Sequence, residues 1–136
     1  GENGAGKSTA MKILCGYLSA TSGAVSFKGQ AHPFKDANEA EAKGVVMIHQ
    51  EFNLADMLSV EENIFLGCEL RRGILLDKKA MQAKTRVLLD QLNCSAPATA
   101  RIDTLSNSDK QMVEIAKALS RNAKVLVMDE PTAVLT

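Results

Sequence analysis

An α/β fold, with a mostly parallel sheet interrupted by a helical insertion, is what this sequence predicts, and three observations carry it. Gly1-Glu2-Asn3-Gly4-Ala5-Gly6-Lys7-Ser8 runs directly into a helical apolar pattern. Two short apolar runs, Val45-Val46-Met47-Ile48 and Val125-Leu126-Val127-Met128, are each followed by polar or acidic residues. Between them, from about residue 56 to 123, the periodicity is largely helical. Strands that feed ligand-bearing residues to their carboxyl ends, joined through helices, are the signature of open α/β sheets.

Composition narrows the class. The 136 residues carry 16 Lys plus Arg against 16 Asp plus Glu, a net charge of zero, which argues against a general nucleic-acid-binding surface. Apolar residues at 46% and charged residues at 24% suit a packed domain rather than a disordered one. The longest apolar runs are the two four-residue strands, far below the roughly 18 residues a membrane span needs. The charged opening leaves no room there for the apolar stretch of a signal peptide. Cys15, Cys68 and Cys94 are odd in number and widely spaced, so free thiols in a reducing compartment are expected. Because Gly1 already lies inside a functional loop, the chain is expected to be a fragment.

Residues 1–8 form G-x-x-x-x-G-K-S, the phosphate-loop pattern. Its glycines let successive backbone N–H groups turn toward phosphate oxygens, and the helix that follows presents its positive dipole end. Lys7 supplies a charge for the β- and γ-phosphates and the Ser8 hydroxyl a ligand for Mg²⁺. Met11, Leu14, Cys15 and Leu18 continue at helical spacing, and residues 19–23 supply stop and turn residues.

Val25-Ser26-Phe27 followed by Lys28-Gly29-Gln30 reads as a short strand entering a hairpin. A short polar helix is expected over 36–43, ending at Gly44, and then a strand over 45–48 buried on both faces that delivers His49-Gln50-Glu51 to its carboxyl end. Ser59-Val60-Glu61-Glu62 is a capping box, with Gly67 as the expected helix stop. A second helix is expected over about 77–92 with Met81, Leu88 and Leu92 on its apolar face, then a loop over 93–104. A third, over about 108–121, carries Met112, Ile115, Ala116 and Leu119 on one face. Both Ser106-x-x-Asp109 and Ser108-x-x-Gln111 fit a cap for its start, and either makes its N-terminus a ready anion site. Residues 124–128 read as another buried strand ending in Asp129-Glu130-Pro131-Thr132. Two adjacent acids at a strand end let the Asp organise Mg²⁺ and the Glu polarise an attacking water.

Taken in order, residues 1–9, His49-Gln50-Glu51, Leu105-Ser106-Asn107-Ser108-Asp109-Lys110-Gln111 and residues 125–132 resemble the Walker A, Q-loop, signature and Walker B segments of the ATP-binding-cassette (ABC) ATPases. The resemblance spans essentially the whole chain. Within that family, Glu62-Asn63-Ile64-Phe65-Leu66-Gly67 and Gln111-Met112-Val113-Glu114-Ile115-Ala116-Lys117-Ala118-Leu119 are similar to the first of two tandem cassettes in monosaccharide importers of the ribose type, which can carry Asp where Asp109 stands. Ala133-Val134-Leu135-Thr136 is similar to that group's D-loop.

This resemblance implies a P-loop NTPase (RecA-like) core over 1–55 and 122–136, a helical signature subdomain over about 56–121, and further sequence at both ends. It implies that Gly1, Asn3, Gly4, Gly6, Lys7, Ser8 and Thr9 hold the phosphates of ATP, and that Ser8, Gln50 and Asp129 hold Mg²⁺ directly or through water. Glu130 is then the general base, with Gln50 and Lys7 as its catalytic companions, and His49 a structural residue. Ser106, Ser108 and Asp109 would act in trans, on ATP bound to the opposite cassette. Ser108 replaces the usual signature Gly; its side chain either crowds that approach or adds a donor.

The partners implied are a second cassette in the same parent chain, permease subunits and, indirectly, a periplasmic or extracellular sugar-binding protein, with no nucleic acid. The implied location is peripheral, on the cytoplasmic side of the plasma membrane. Residues 1–136 alone are expected to hydrolyse ATP poorly or not at all. Two other readings stay open at this point: a soluble cassette protein without a permease, and a non-catalytic nucleotide-binding module.

Overall fold

The structure, a computed structural model, describes residues 6–31, 34–48 and 52–128, and the chain divides into two compact units at positions 49/50 and 122/123. The first unit holds α1 (Lys7–Leu14), a hairpin of β1 (Ser26–Phe27) and β2 (Gln30–Ala31), α2 (Ala37–Ala42), β3 (Val45–Ile48) and β6 (Val125–Met128). The second holds α3 (Val60–Ile64), a hairpin of β4 (Arg71–Arg72) and β5 (Leu75–Leu76), α4 (Lys78–Gln91), a single 3₁₀ turn (Ile102–Thr104) and α5 (Asn107–Ser120).

In the first unit β3 and β6 pair in parallel, from Val45 opposite Val125 to Ile48 opposite Met128. Cys15, Phe34, Ala40, Val45 and Met47 form its core, with Met11, Phe27 and Val127 packed against them. Phe27 and Phe34 meet edge to face, their ring centroids 5.6 Å apart. The hairpin turns through Lys28 and Gly29, both at positive φ, as a two-residue turn with right-handed strand twist requires. α2 is capped by the Asp36 carboxylate, which accepts from the Glu39 N–H, and it stops at Gly44 (φ +92°). The Gly44 carbonyl then accepts from the N–H groups of both Lys124 and Val125, joining the start of β3 to the start of β6.

Two expectations need correction here. Leu18 does not continue the apolar face of α1: the helix ends at Leu14, Gly16 turns left-handed at φ +79°, and Leu18 is exposed while Cys15 is buried. A Cβ on Gly16 would stand 2.5 Å from the Asp36 carbonyl oxygen, so the turn must pass close against the start of α2. The strand at 125–128 is also only half-buried, with Val125 exposed. Among the described residues β6 pairs with β3 alone, whereas β3 is buried at Val45, Met47 and Ile48 as expected.

The second unit is built around Val60, Ile64, Phe65, Met81, Leu89, Cys94, Ala96, Ile102, Val113 and Ala116. The capping box of α3 is reciprocal: Ser59 Oγ accepts from the Glu62 N–H, and Glu62 Oε2 accepts from the Ser59 N–H at 2.8 Å. Its next donors, Val60 N–H and Glu61 N–H, bond to the carbonyls of Ala100 and Ala98, so the long loop completes the cap. Phe65 is the C-cap, and Gly67, named above as the stop, turns left-handed two residues later. Asp77 caps α4, and Asn93 and Asn122 take left-handed conformations just past α4 and α5.

The expected apolar face of α4 is rotated. Its fully buried row is Met81, Thr85 and Leu89, with Leu88 and Leu92 half-buried at its border. The loop over 93–104 contains the 3₁₀ turn, and the hairpin over 71–76 was not anticipated within the helical stretch. Helix α5 starts one residue earlier than expected, because the cap is Ser106 rather than Ser108. No helix among the described residues is long and apolar enough to cross a membrane. All three cysteines are free thiols, as expected.

Candidate functional site

The phosphate-loop pattern enters its helix at Gly6, which holds φ +83° as the N-cap of α1. Nothing lies within 4 Å of where a Cβ would stand, so backbone conformation rather than crowding calls for glycine. The next residues are Lys7 and Ser8, both half-buried in the first turn, and the exposed Thr9. α1 has no side-chain cap and no acid in its first turn, which leaves its positive dipole end uncompensated by a carboxylate of its own. A left-handed glycine, a lysine and a hydroxyl at an uncapped helix start fit a phosphate-bearing ligand. Gly1, Asn3 and Gly4 lie outside the described residues.

Cys15 and the half-buried Met11 anchor α1 on the core that also holds Val45, Met47 and Val127. The last rung of the parallel pair is Ile48 opposite Met128, so both strands end level, at the same end of the sheet. His49, Gln50 and Glu51 follow one strand in sequence, and Asp129, Glu130 and residues 131–136 follow the other; all lie outside the described residues. Among the described residues, no group of three or more His, Cys, Asp or Glu side chains could cage a metal. A Mg²⁺ bound mainly through phosphates, water and one or two protein ligands needs no such cage.

The second cluster lies at the start of α5. Ser106 is exposed; its Oγ accepts from the Asp109 N–H at 3.1 Å and donates to Asp109 Oδ2 at 2.9 Å. Cys94 Sγ donates to Asp109 Oδ1 at 3.7 Å. Burial, and then the nearby Asp109 charge, push the Cys94 thiol above its usual range, so it acts here as a donor rather than a thiolate. Asp109 thus supplies a negative charge to its own helix N-terminus and occupies the Ser106 hydroxyl proton. Ser108 is half-buried inside the first helical turn and is absent from the described non-glycine residues at positive φ, so serine carries no backbone strain there.

The contacts made by residues 53–55 follow from no local pattern. Glu114, buried midway along α5, accepts from the Asn53 N–H through Oε1 at 2.7 Å, and Lys117 Nζ reaches the Asn53 carbonyl at 3.4 Å. The fully buried Asn63 side chain exchanges hydrogen bonds with both backbone groups of Ala55, at 2.7 and 3.0 Å, and also donates to the Ser59 carbonyl. The available signal was an acid within Val113-Glu114-Ile115-Ala116, a stretch too apolar for a solvated charge.

Comparison with known proteins agrees with this fold. The family model described as ABC transporter matches residues 1–133. A protein of Burkholderia cenocepacia (strain HI2424), provisionally named ribose/galactose/methyl galactoside import ATP-binding protein 3, is 49% identical over all 136 residues, which span 26% of its length. A ribose import ATP-binding protein of Escherichia coli O157:H7 is 46% identical over the same residues, 27% of its length. The chain thus spans about a quarter of the length of the curated relatives it matches. Among solved structures, an ATP-binding cassette of an ABC transporter in its ADP conformation superposes with a TM-score of 0.77 at 28% identity, over 98% of this chain and 57% of that one. A Clostridium perfringens component of an ABC transporter complex gives 0.76 at 25% identity, over 100% and 54%.

Proposed function

From a chain that belongs to the ABC transporter family, we propose an ATP-binding and ATP-hydrolysing subunit that energises monosaccharide import. The observation that carries this reading is the pairing of a left-handed Gly6-Lys7-Ser8 helix start with two parallel strands that end level at Ile48 and Met128. Ligands of open α/β sheets sit at such strand ends. The division into two compact units supports a nucleotide-binding core, expected over 1–55 and 122–136, and a helical subdomain, expected over about 56–121, with residues 50–55 grouping with the helical unit.

On this reading Gly1, Asn3, Gly4, Gly6, Lys7, Ser8 and Thr9 hold the phosphates of ATP. Lys7 neutralises charge building on the transferred phosphoryl group. Glu130 takes a proton from the attacking water, which Gln50 helps to place. Ser8, Gln50 and Asp129 hold Mg²⁺, which when bound supplies charge stabilisation to the β- and γ-phosphates. Ser106 and Ser108 face ATP held by a second cassette; to donate there, the Ser106 hydroxyl must turn away from Asp109. Because each site needs the other cassette's signature, residues 1–136 alone turn over ATP poorly. The remaining partners are permease subunits at the cytoplasmic side of the membrane, fed by an external sugar-binding protein.

The test is uptake of a panel of monosaccharides by cells lacking the full-length gene, complemented with wild type or Glu130→Gln. Loss of uptake of at least one sugar, restored by wild type and not by the variant, is expected. Undiminished uptake of every sugar, with the protein recovered on ribosomes rather than membranes, would contradict the reading.

A further inference from the structure

We propose that Glu114 is a positioning residue for Gln50, holding the segment that follows Gln50 onto helix α5; the proposal rests on the ATPase reading above. A carboxylate is costly to bury unless it is hydrogen-bonded, and Glu114 meets that cost by accepting the Asn53 N–H in a short, charge-assisted bond. Lys117, on the same helix, reaches the other side of that peptide unit's residue at the Asn53 carbonyl, the weaker contact of the two. Two residues on, Asn63 of α3 binds both backbone groups of Ala55. Residues 53–55 are therefore fastened to the helical unit by side chains from two of its helices.

Gln50 lies between two anchors along the chain: Ile48, the last residue of β3, and Asn53, held by α5. The five peptide steps between those anchors reach about 18 Å at most, so a shift of the Asn53 anchor is taken up within the few residues that include Gln50. The same rigid helix begins at the Ser106 cap, and eight residues at 1.5 Å each put Glu114 about 12 Å further along it. The chemistry required of residue 114 is an acceptor for one N–H at this reach. A glutamine can supply it through its amide oxygen; an alanine cannot.

The experiment uses the full-length protein and compares wild type, Glu114→Ala, Glu114→Gln and Lys117→Met. ATP affinity, kcat and KM with Mg·ATP, and amide hydrogen exchange over residues 52–55 without nucleotide are measured. Expected for Glu114→Ala are a roughly tenfold fall in kcat, ATP affinity and KM within about twofold of wild type, and at least tenfold faster exchange at Asn53. Glu114→Gln returns kcat to within about threefold. Lys117→Met, which keeps the buried carboxylate, lowers kcat about twofold to threefold and speeds exchange at the same residues; it carries the test if Glu114→Ala does not fold. The proposal is overturned if kcat or Asn53 exchange is unchanged in these variants, or if Glu114→Gln is as slow as Glu114→Ala. A wild-type protein without ATPase activity overturns the ATPase reading and this role together; an active wild type with an equally active Glu114→Ala overturns this role alone.

Discussion

Ile48 and Met128 stand opposite each other on the last rung of a parallel ladder, although the whole helical unit lies between them in sequence. Their level ends mean that the residues following each strand emerge from the same end of one sheet. On the proposed ATPase reading, this register is what directs the segments carrying Gln50 and the Asp129-Glu130 pair to one ligand. Slipping it by one residue would also turn Val45 and Met47 out of the core formed with Cys15 and Phe34.

Gly16 and Gly29 separate two reasons for a glycine. Both are left-handed, but a Cβ on Gly16 meets the Asp36 carbonyl oxygen at 2.5 Å while one on Gly29 meets nothing within 4 Å. Gly29→Ala is expected to cost about 1 kcal/mol of backbone strain. Gly16→Ala adds overpacking and is expected to cost roughly 3 kcal/mol. Urea unfolding of the two variants checks the ordering.

The Ser59–Glu62 box gives the helical unit an acid-sensitive element. Hydrogen bonds from Ser59 hold the Glu62 carboxyl below its usual range. A lowered folded pKa contributes stability that is present above the unfolded glutamate value, about 4.3, and lost as pH falls through the folded value. Glu62→Gln is expected to flatten the fall in melting temperature below about pH 4.3. Ser59→Ala is expected to cost about 1 kcal/mol at neutral pH through loss of the cap.

The three thiols should react in two classes. Cys68 is exposed, while Cys15 and Cys94 are buried and burial raises the pKa of both, so neither forms thiolate readily near neutral pH. Titration with a chromogenic disulfide at pH 7.5 is expected to modify Cys68 fast and the other two only as the fold opens. Mass spectrometry of the labelled peptides checks the assignment.

What could be read from the sequence was short-range chemistry. Ser59 caps its helix as the box pattern predicts, Asp36 and Asp77 open the stretches that read as helical and are their N-caps, and Lys28-Gly29 turns the expected hairpin. The competition between Ser106 and Ser108 could not be resolved from the pattern, since both satisfy the capping-box spacing. Packing decides it: Ser106 gains a reciprocal pair with Asp109, whose other oxygen accepts from Cys94. The hairpin over 71–76 was illegible because Leu75 and Leu76 are both exposed, which removes the alternation that marks a half-buried strand. The buried face of α5 is wider than its apolar stripe predicts. It is enclosed on several sides, so Gln111, Val113 and Glu114 are buried outside the apolar stripe, and only the fold brings Asn53 to Glu114. Of the site itself, Gly6, Lys7, Ser8 and the strand ends were legible because the phosphate-loop and strand patterns are local.

The most direct test of the ATPase reading is phosphate release from Mg·ATP by the full-length protein, wild type against Glu130→Gln, with nucleotide binding measured on the same samples. The account predicts unchanged ATP binding and turnover at this site lower by about a thousandfold, the size of a lost general base. Equal turnover in the two proteins, or no binding of ATP by either, would contradict it.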